Sequence, residues 1–133
     1  MQTLAIDRSG DIAVVRLSRP ERRNAISFSM LRELLECARQ LRADRNLRAV
    51  ILAGEGESFS SGIDLKDLGD PRHRWLGLRE LLRPGPSLFQ RAFLVWRELP
   101  VPVIAVLHGH CFGAGMQLAL AADVRIAHPD TQL

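Results

Sequence analysis

Val103-Ile104-Ala105-Val106-Leu107-His108-Gly109-His110-Cys111-Phe112-Gly113-Ala114-Gly115-Met116-Gln117 is the stretch that decides the fold. A short apolar run enters a glycine-bearing loop, and the loop leads into the apolar, helix-like segment Met116 to Ala122. The same grammar occurs once earlier, where Ala49-Val50-Ile51-Leu52-Ala53 precedes Phe59-Ser60-Ser61-Gly62-Ile63-Asp64-Leu65-Lys66. Both continuous apolar runs read as strands buried on both faces. A loop between such a strand and a helix presents unpaired backbone N–H groups, and glycine lets a ligand approach them closely. A helix starting at Ala114 or Gly115 adds its positive end. Two such loops can converge on one developing negative charge, where each donor stabilises an oxyanion by about 3–4 kcal/mol. The competing reading is that Gly62 and Gly113-Ala114-Gly115 are ordinary turns and close-packing positions.

The remaining chain supplies the frame. Leu4 and Ile6 alternate with polar residues, Arg8-Ser9-Gly10-Asp11 signals a turn, and Ile12-Ala13-Val14-Val15-Arg16-Leu17 is β-rich; together they predict a hairpin. Phe28, Leu31, Leu34, Leu35, Ala38 and Leu41 fall on one face at helical spacing, with Ser27 or Ser29 as the cap. Leu88, Phe89, Ala92, Phe93 and Trp96 form a second helical face, and Asp123 to Ala127 alternates as a last strand. The Arg-rich stretch from Pro71 to Pro86 reads as a long loop. Strands alternating with helices predict an α/β layered domain. A final strand with six residues after it has no helix to cover it, so the chain reads as a first half.

Composition excludes several classes. The chain has 133 residues, enough for one small domain, with 47% hydrophobic and 25% charged residues. No apolar run approaches the ~20 residues that span a bilayer, and the N-terminus lacks a secretory pattern, so the expected location is cytoplasmic. The net charge of +3 is spread along the chain almost entirely as arginine, with Lys66 the single lysine. That pattern argues against nucleic acid and is compatible with a polyanionic small ligand. Cys37 and Cys111 are widely spaced and read as buried, neutral thiols.

Other chemistries fit poorly. Gly113-Ala114-Gly115 is not GxGxxG, and no Walker lysine follows it. His108 and His110 lack a third ligand at metal spacing, so no metal is expected. Ser60 and Ser61 precede Gly62, but the arrangement is not GxSxG and no base is placed for a nucleophile. Trp75 and Trp96 read as packing residues. Asp64 reads as a brace or cap for the segment after it.

The two loops resemble those of the crotonase (enoyl-CoA hydratase/isomerase) family. Phe59-Ser60-Ser61-Gly62-Ile63-Asp64-Leu65-Lys66 matches F-x-x-G-x-D-[LI]-[KR], and His108 to Gly115 matches [NH]-G-x-x-x-G-[GA]-G. Pro20-Glu21-Arg22-Arg23-Asn24-Ala25 is similar to the family's P-x-x-x-N-A, and Asp123 and Arg125 to its D-x-R strand. The resemblance covers nearly the whole chain. It implies a crotonase-like (ClpP/crotonase) spiral of strand-strand-helix units, here incomplete, with residues 1–133 forming the N-terminal part of a single domain. It also implies that the Ile63 and Ala114 N–H groups stabilise a thioester enolate. Arg23, Ala25, Ser61, Gly62, Asp64, Leu65, Lys66 and Gly113 would line the acyl-CoA site, Arg23 and Lys66 near the phosphates. The expected partner is an acyl-CoA thioester, with coenzyme A as part of the substrate and no other cofactor. Assembly as a trimer or hexamer is expected for a full-length member.

One position departs from the pattern. Two residues after the glycine triplet, hydratases of the family carry a glutamate and dienoyl-type isomerases an aspartate; here it is Gln117. An amide holds water by hydrogen bonds but does not exchange a proton at neutral pH. The expected reaction is therefore hydration or double-bond isomerisation of an enoyl-CoA, with further acids in sequence beyond Leu133. The alternative is a non-catalytic acyl-CoA-binding homologue or an inactive fragment.

Overall fold

The computed structural model describes residues 1–69, residue 71 and residues 87–133. Strands β1 (Leu4–Ser9) and β2 (Ile12–Leu17) form the expected antiparallel hairpin, with Leu4 opposite Leu17. Its turn passes through Gly10 at φ +60°, a conformation that glycine adopts without strain. Helix α1 (Phe28–Ala43) follows; of the two candidate caps Ser27 is used, its side chain accepting from the Met30 N–H at 3.1 Å. Then come β3 (Ala49–Gly54), the short α2 (Leu65–Gly69), α3 (Leu88–Leu94), β4 (Val103–Leu107), α4 (Ala114–Ala121) and β5 (Val124–Ala127). Helix α3 opens with a capping box between Ser87 and Gln90 and passes into a 3-10 turn over Val95–Glu98. Most of the Arg-rich stretch, including Trp75, lies outside the described residues.

The five strands lie in the sheet in sequence order, β1-β2-β3-β4-β5, and pair in parallel from β2 onward. Each parallel step needs a crossover, and helices supply it. The core forms where α1 and α3 meet one face of the sheet. Val15, Leu17, Val50, Leu52, Val103 and Ala105 contribute from the strands, and Met30, Leu31, Leu34, Phe93 and Trp96 from the helical side. Phe28 and Phe89 meet edge to face at 5.7 Å. Trp96 is a packing residue, as expected, although its indole Nε1 has no hydrogen-bond partner.

The expectation of strands buried on both faces is corrected. Val50 and Leu52 of β3 are buried, whereas Ala49, Ile51 and Ala53 are only half-buried. In β4 the alternation is the same, with Val106 exposed. Val14, Ile51, Ile104 and Val124 form one register row across four strands on that open face. Every residue of β5, the edge strand, is exposed. A continuous apolar run is compatible with one covered face, and only the alternate residues here reach the helices.

Candidate functional site

Beyond the ends of β3 and β4 the chain keeps the two strands' parallel pairing. The Phe59 N–H donates to the His108 carbonyl at 2.8 Å, Ser60 N–H to His110 at 3.0 Å, and Phe112 N–H to Ser60 at 3.1 Å. Ser60 and Cys111 thus form a bridge that ties the two glycine loops together. The glycines divide between the two readings of the sequence. A Cβ on Gly109 would lie 2.0 Å from the Glu57 carbonyl oxygen, and one on Gly115 would lie 2.6 Å from Ser60 Cβ. Those two are close-packing positions. Gly109 also has a positive φ of 59°; Gly62 and Gly113, at 106° and 50°, have more room, and a Cβ on either would stand 4.0 Å from the other's Cα, with the Phe112 carbonyl oxygen 3.3 Å from one on Gly62. These are the turning points of the two loops, set side by side.

The residue after each turning point has an N–H with no partner among the described residues. At the start of α4, three of the first four N–H donors find local carbonyls. Gly115 and Met116 donate to Phe112 at 2.8 and 3.4 Å, and Gln117 donates to Gly113 at 3.0 Å. Ala114, the first helical residue, donates to nothing among the described residues, and Gly113 offers no side-chain cap. In the first loop, Ile63 pairs with Ile26 as a parallel bridge. The Ile26 N–H donates to Gly62 at 2.7 Å and the Asp64 N–H to Ile26 at 2.9 Å. That pattern uses the groups flanking Ile63 and leaves its own N–H aimed away from the partner segment.

The first loop is braced by Asp64, as the sequence reading expected, and by Asn24, Arg19 and Ser60, whose contacts it did not assign. Asn24, fully buried at φ +55°, accepts from the Arg19 N–H and donates to the Glu55 and Ser58 carbonyls, each at 2.8 Å. Asparagine tolerates the left-handed region, which suits it to this position in the Pro20 to Ala25 segment. Arg19 pairs with Asp64 at 3.0 Å and donates to the Ala25 carbonyl at 2.7 Å. Asp64 also accepts from the Lys66 and Asp67 N–H groups at 3.1 and 3.2 Å, so it caps α2. Burial works against its charge, but Arg19 and those two N–H groups outweigh it and hold its pKa below the usual carboxylate value. Ser60, fully buried, donates to the Asn24 carbonyl at 2.9 Å and accepts from the Gly62 N–H at 3.2 Å, which occupies its hydroxyl.

The remaining expected site residues fall at the rim. The Ser61 N–H donates to the Arg23 carbonyl at 3.0 Å, so residues 23–26 run beside residues 61–64. This places Arg23, Ala25, Leu65 and Lys66 at one side of the first loop. The Arg23 and Lys66 side chains are exposed and unpaired among the described residues, and Leu65 is 79% exposed. Gln117 stands on α4 one turn from Ala114, exposed, with no partner for its side-chain amide among the described residues. It lines an open groove of roughly 380 Å3 with Gln90, Phe93, Leu94, Arg97, Leu120 and Ala121. That groove arises from the packing of α3 beside α4 and was not read from the sequence.

Asp123 and Arg125 are structural. Asp123 accepts the Val103 N–H at 2.8 Å, and Arg125 donates to the Ala122 carbonyl at 3.0 Å. Both thiols are buried; burial pushes Cys37 up to about 12 and raises Cys111 as well. Among the described residues no three His, Cys, Asp or Glu side chains gather as metal ligands. Among them, too, no helix is long and apolar enough to cross a membrane.

A sheet that grows strand by strand, with two glycine loops joined at the strand ends, defines the crotonase fold. Residues 7–132 match the enoyl-CoA hydratase/isomerase family, and the chain belongs to that family. It is 41% identical over 126 residues to the mitochondrial Delta(3,5)-Delta(2,4)-dienoyl-CoA isomerase of Mus musculus, covering 87% of this chain and 37% of that protein. The crystal structure of an enoyl-CoA hydratase/carnithine racemase from Magnetospirillum magneticum superposes with a TM-score of 0.85 at 33% identity, over 98% of this chain and 48% of that one. A monofunctional enoyl-CoA isomerase from M. smegmatis gives 0.76 at 36% identity, over 98% of this chain and 52% of its own. The chain thus spans between about a third and a half of the length of these relatives.

Proposed function

We propose that this chain supplies the thioester-activating part of an acyl-CoA enzyme that hydrates an enoyl-CoA or shifts its double bond. The observation that carries the reading is a pair of N–H groups with no partner among the described residues, Ile63 and Ala114, each directly after a left-handed glycine on loops tied by the Ser60–Cys111 bridge. In this reading both donate to the thioester oxygen and hold it more strongly as it becomes an enolate. The acyl group extends from there past Gln117 along α4. The coenzyme A side lies over Ala25, Ser61, Gly62 and Leu65, with Arg23 and Lys66 meeting phosphates and Gly113 leaving room for the thioester. Asp64 serves by holding the loop rather than by touching substrate.

Gln117 orients a water or the acyl group and transfers no proton, so the acids belong to the rest of the protein. The full-length protein is read as one crotonase domain, of which residues 1–133 are the N-terminal part, assembled as a trimer or hexamer in the cytoplasm. A second reading is favoured by Gln117 itself: a homologue that binds acyl-CoA without turning it over.

The test runs turnover and binding side by side on the full-length protein, with an enoyl-CoA and its saturated counterpart. Turnover supports the enzyme reading, and tight binding without turnover supports the second. Water addition gained on Gln117→Glu would identify a hydratase site lacking its acid. Failure of both ligands to bind would remove the acyl-CoA reading altogether.

A further inference from the structure

We propose that Arg97 selects acyl-CoA substrates whose acyl chain ends in a carboxylate; the inference rests on the acyl-CoA reading above and narrows its substrate class. Phe93, Leu94 and Arg97 recur at helical spacing through α3 and its 3-10 extension, and they face Gln117, Leu120 and Ala121 of α4 across the groove. Gln117 lies three residues beyond Ala114, about 4.5 Å along the helix axis, and Leu120 and Ala121 lie about 10 Å along it. The groove therefore leads away from one of the two free N–H groups along a path that an acyl chain can follow.

Among the described residues the lining is four apolar side chains, two neutral amides and a single charge. Leu94 and Leu120 are 47% and 55% exposed and offer bare apolar surface. Gln90 is committed in part to the Ser87 N–H through its capping box, and the Gln117 amide is neutral. No carboxylate is among the described residues that line the groove. Arg97 forms no ion pair or hydrogen bond among the described residues, and Glu98, next to it in sequence, is paired with Arg42 at 3.1 Å. A purely hydrocarbon acyl group would cover the apolar walls and leave this exposed guanidinium to solvent alone. A chain ending in a carboxylate satisfies both, since guanidinium and carboxylate pair in a two-pronged geometry and apolar walls strengthen the attraction.

A phosphate of coenzyme A is the other anion that could reach an arginine. The acyl carboxylate is favoured because the groove opens along α4. Arg23 and Lys66, unpaired among the described residues, instead stand beside the first loop, where residues 23–26 and 61–64 run together.

The experiment measures affinity of the full-length protein for saturated acyl-CoAs of four to ten acyl carbons, each length with and without a terminal carboxylate. Wild type is compared with Arg97→Met and Arg97→Lys, and kcat/KM is measured on the matching enoyl forms. At the matching length the carboxylated ligand binds about tenfold tighter than its neutral partner, less so at high salt. Arg97→Met abolishes that preference and leaves neutral ligands unchanged, while Arg97→Lys keeps part of it. Equal affinity for both series in the wild type overturns the proposal. So does an equal weakening of both series by Arg97→Met, which would put the arginine on a phosphate. Binding of neutral ligands with no carboxylate preference sinks this inference alone; loss of binding to every acyl-CoA sinks the site reading with it.

Discussion

Ala114→Pro removes one proposed oxyanion donor and little else. Ala114 is the first residue of α4, where proline is accepted because the helix makes no use of that N–H. Its N–H bonds to no described group, so no protein hydrogen bond is lost. Gly113 before it, at φ 50° and ψ −118°, lies outside the αR region that a following proline would forbid. The cost to folding is then confined to seating two extra ring carbons at a position that is 7% exposed. The cost to catalysis is larger. Losing one preorganised donor lowers kcat by about 10²–10³-fold, or roughly 2.7–4 kcal/mol of transition-state stabilisation. Ala114→Ser, which retains the N–H, is the control. Turnover of an enoyl-CoA by the full-length protein is followed at saturating substrate, alongside thermal melts of both variants. A proline variant that melts with the serine control and turns over within threefold of it would refute the assignment of this N–H. A low kcat with an unchanged melt is the expected result, with a smaller loss in binding of saturated acyl-CoA, because the donor matters most once negative charge has built up on the oxygen.

Two further outcomes follow from the braces and the thiols. Asp64→Asn strips charge from the Arg19 pair and weakens the α2 cap, costing about 1–3 kcal/mol at pH 7. Because the folded pKa of Asp64 is lowered, its contribution is complete above about pH 4 and is lost as pH falls through the folded value. Urea titrations should therefore show the wild-type advantage shrinking toward pH 3; an advantage unchanged across that range would contradict the ion-pair account. Cys37 and Cys111, both buried and with raised pKa values, should resist a thiol reagent at pH 8 until the protein is denatured, as peptide mapping of the labelled sites would report.

What was legible in the sequence was local. The hairpin was readable from a turn signal between two β-rich runs, and α1 from its apolar stripe and serine cap, because each rests on contacts a few residues apart. The two loops were readable for a related reason. A free N–H beyond a left-handed glycine is a property of the backbone, and glycine is the residue that permits it. What stayed hidden depends on long-range contacts. Asn24 is held by Glu55 and Ser58, and Arg19 by Asp64. No spacing rule in the sequence foretells those pairings. The burial of β3 and β4 was overread because an apolar run states what a strand can bury, whereas the covering elements decide what it does bury.

The same division runs through the candidate site. Gly62 and Gly113 set the direction of Ile63 and Ala114, so the feature proposed to stabilise charge is written in the loops themselves. The groove proposed to read the acyl group is written nowhere in particular, since it exists only where α3 lies beside α4. A change at Arg97 or Leu120 could alter which acyl group fits without disturbing a single bond of the glycine loops. Activation and selection in this chain are therefore separable by mutation: Ala114→Pro should act on kcat across all substrates, and Arg97→Met only on the difference between them.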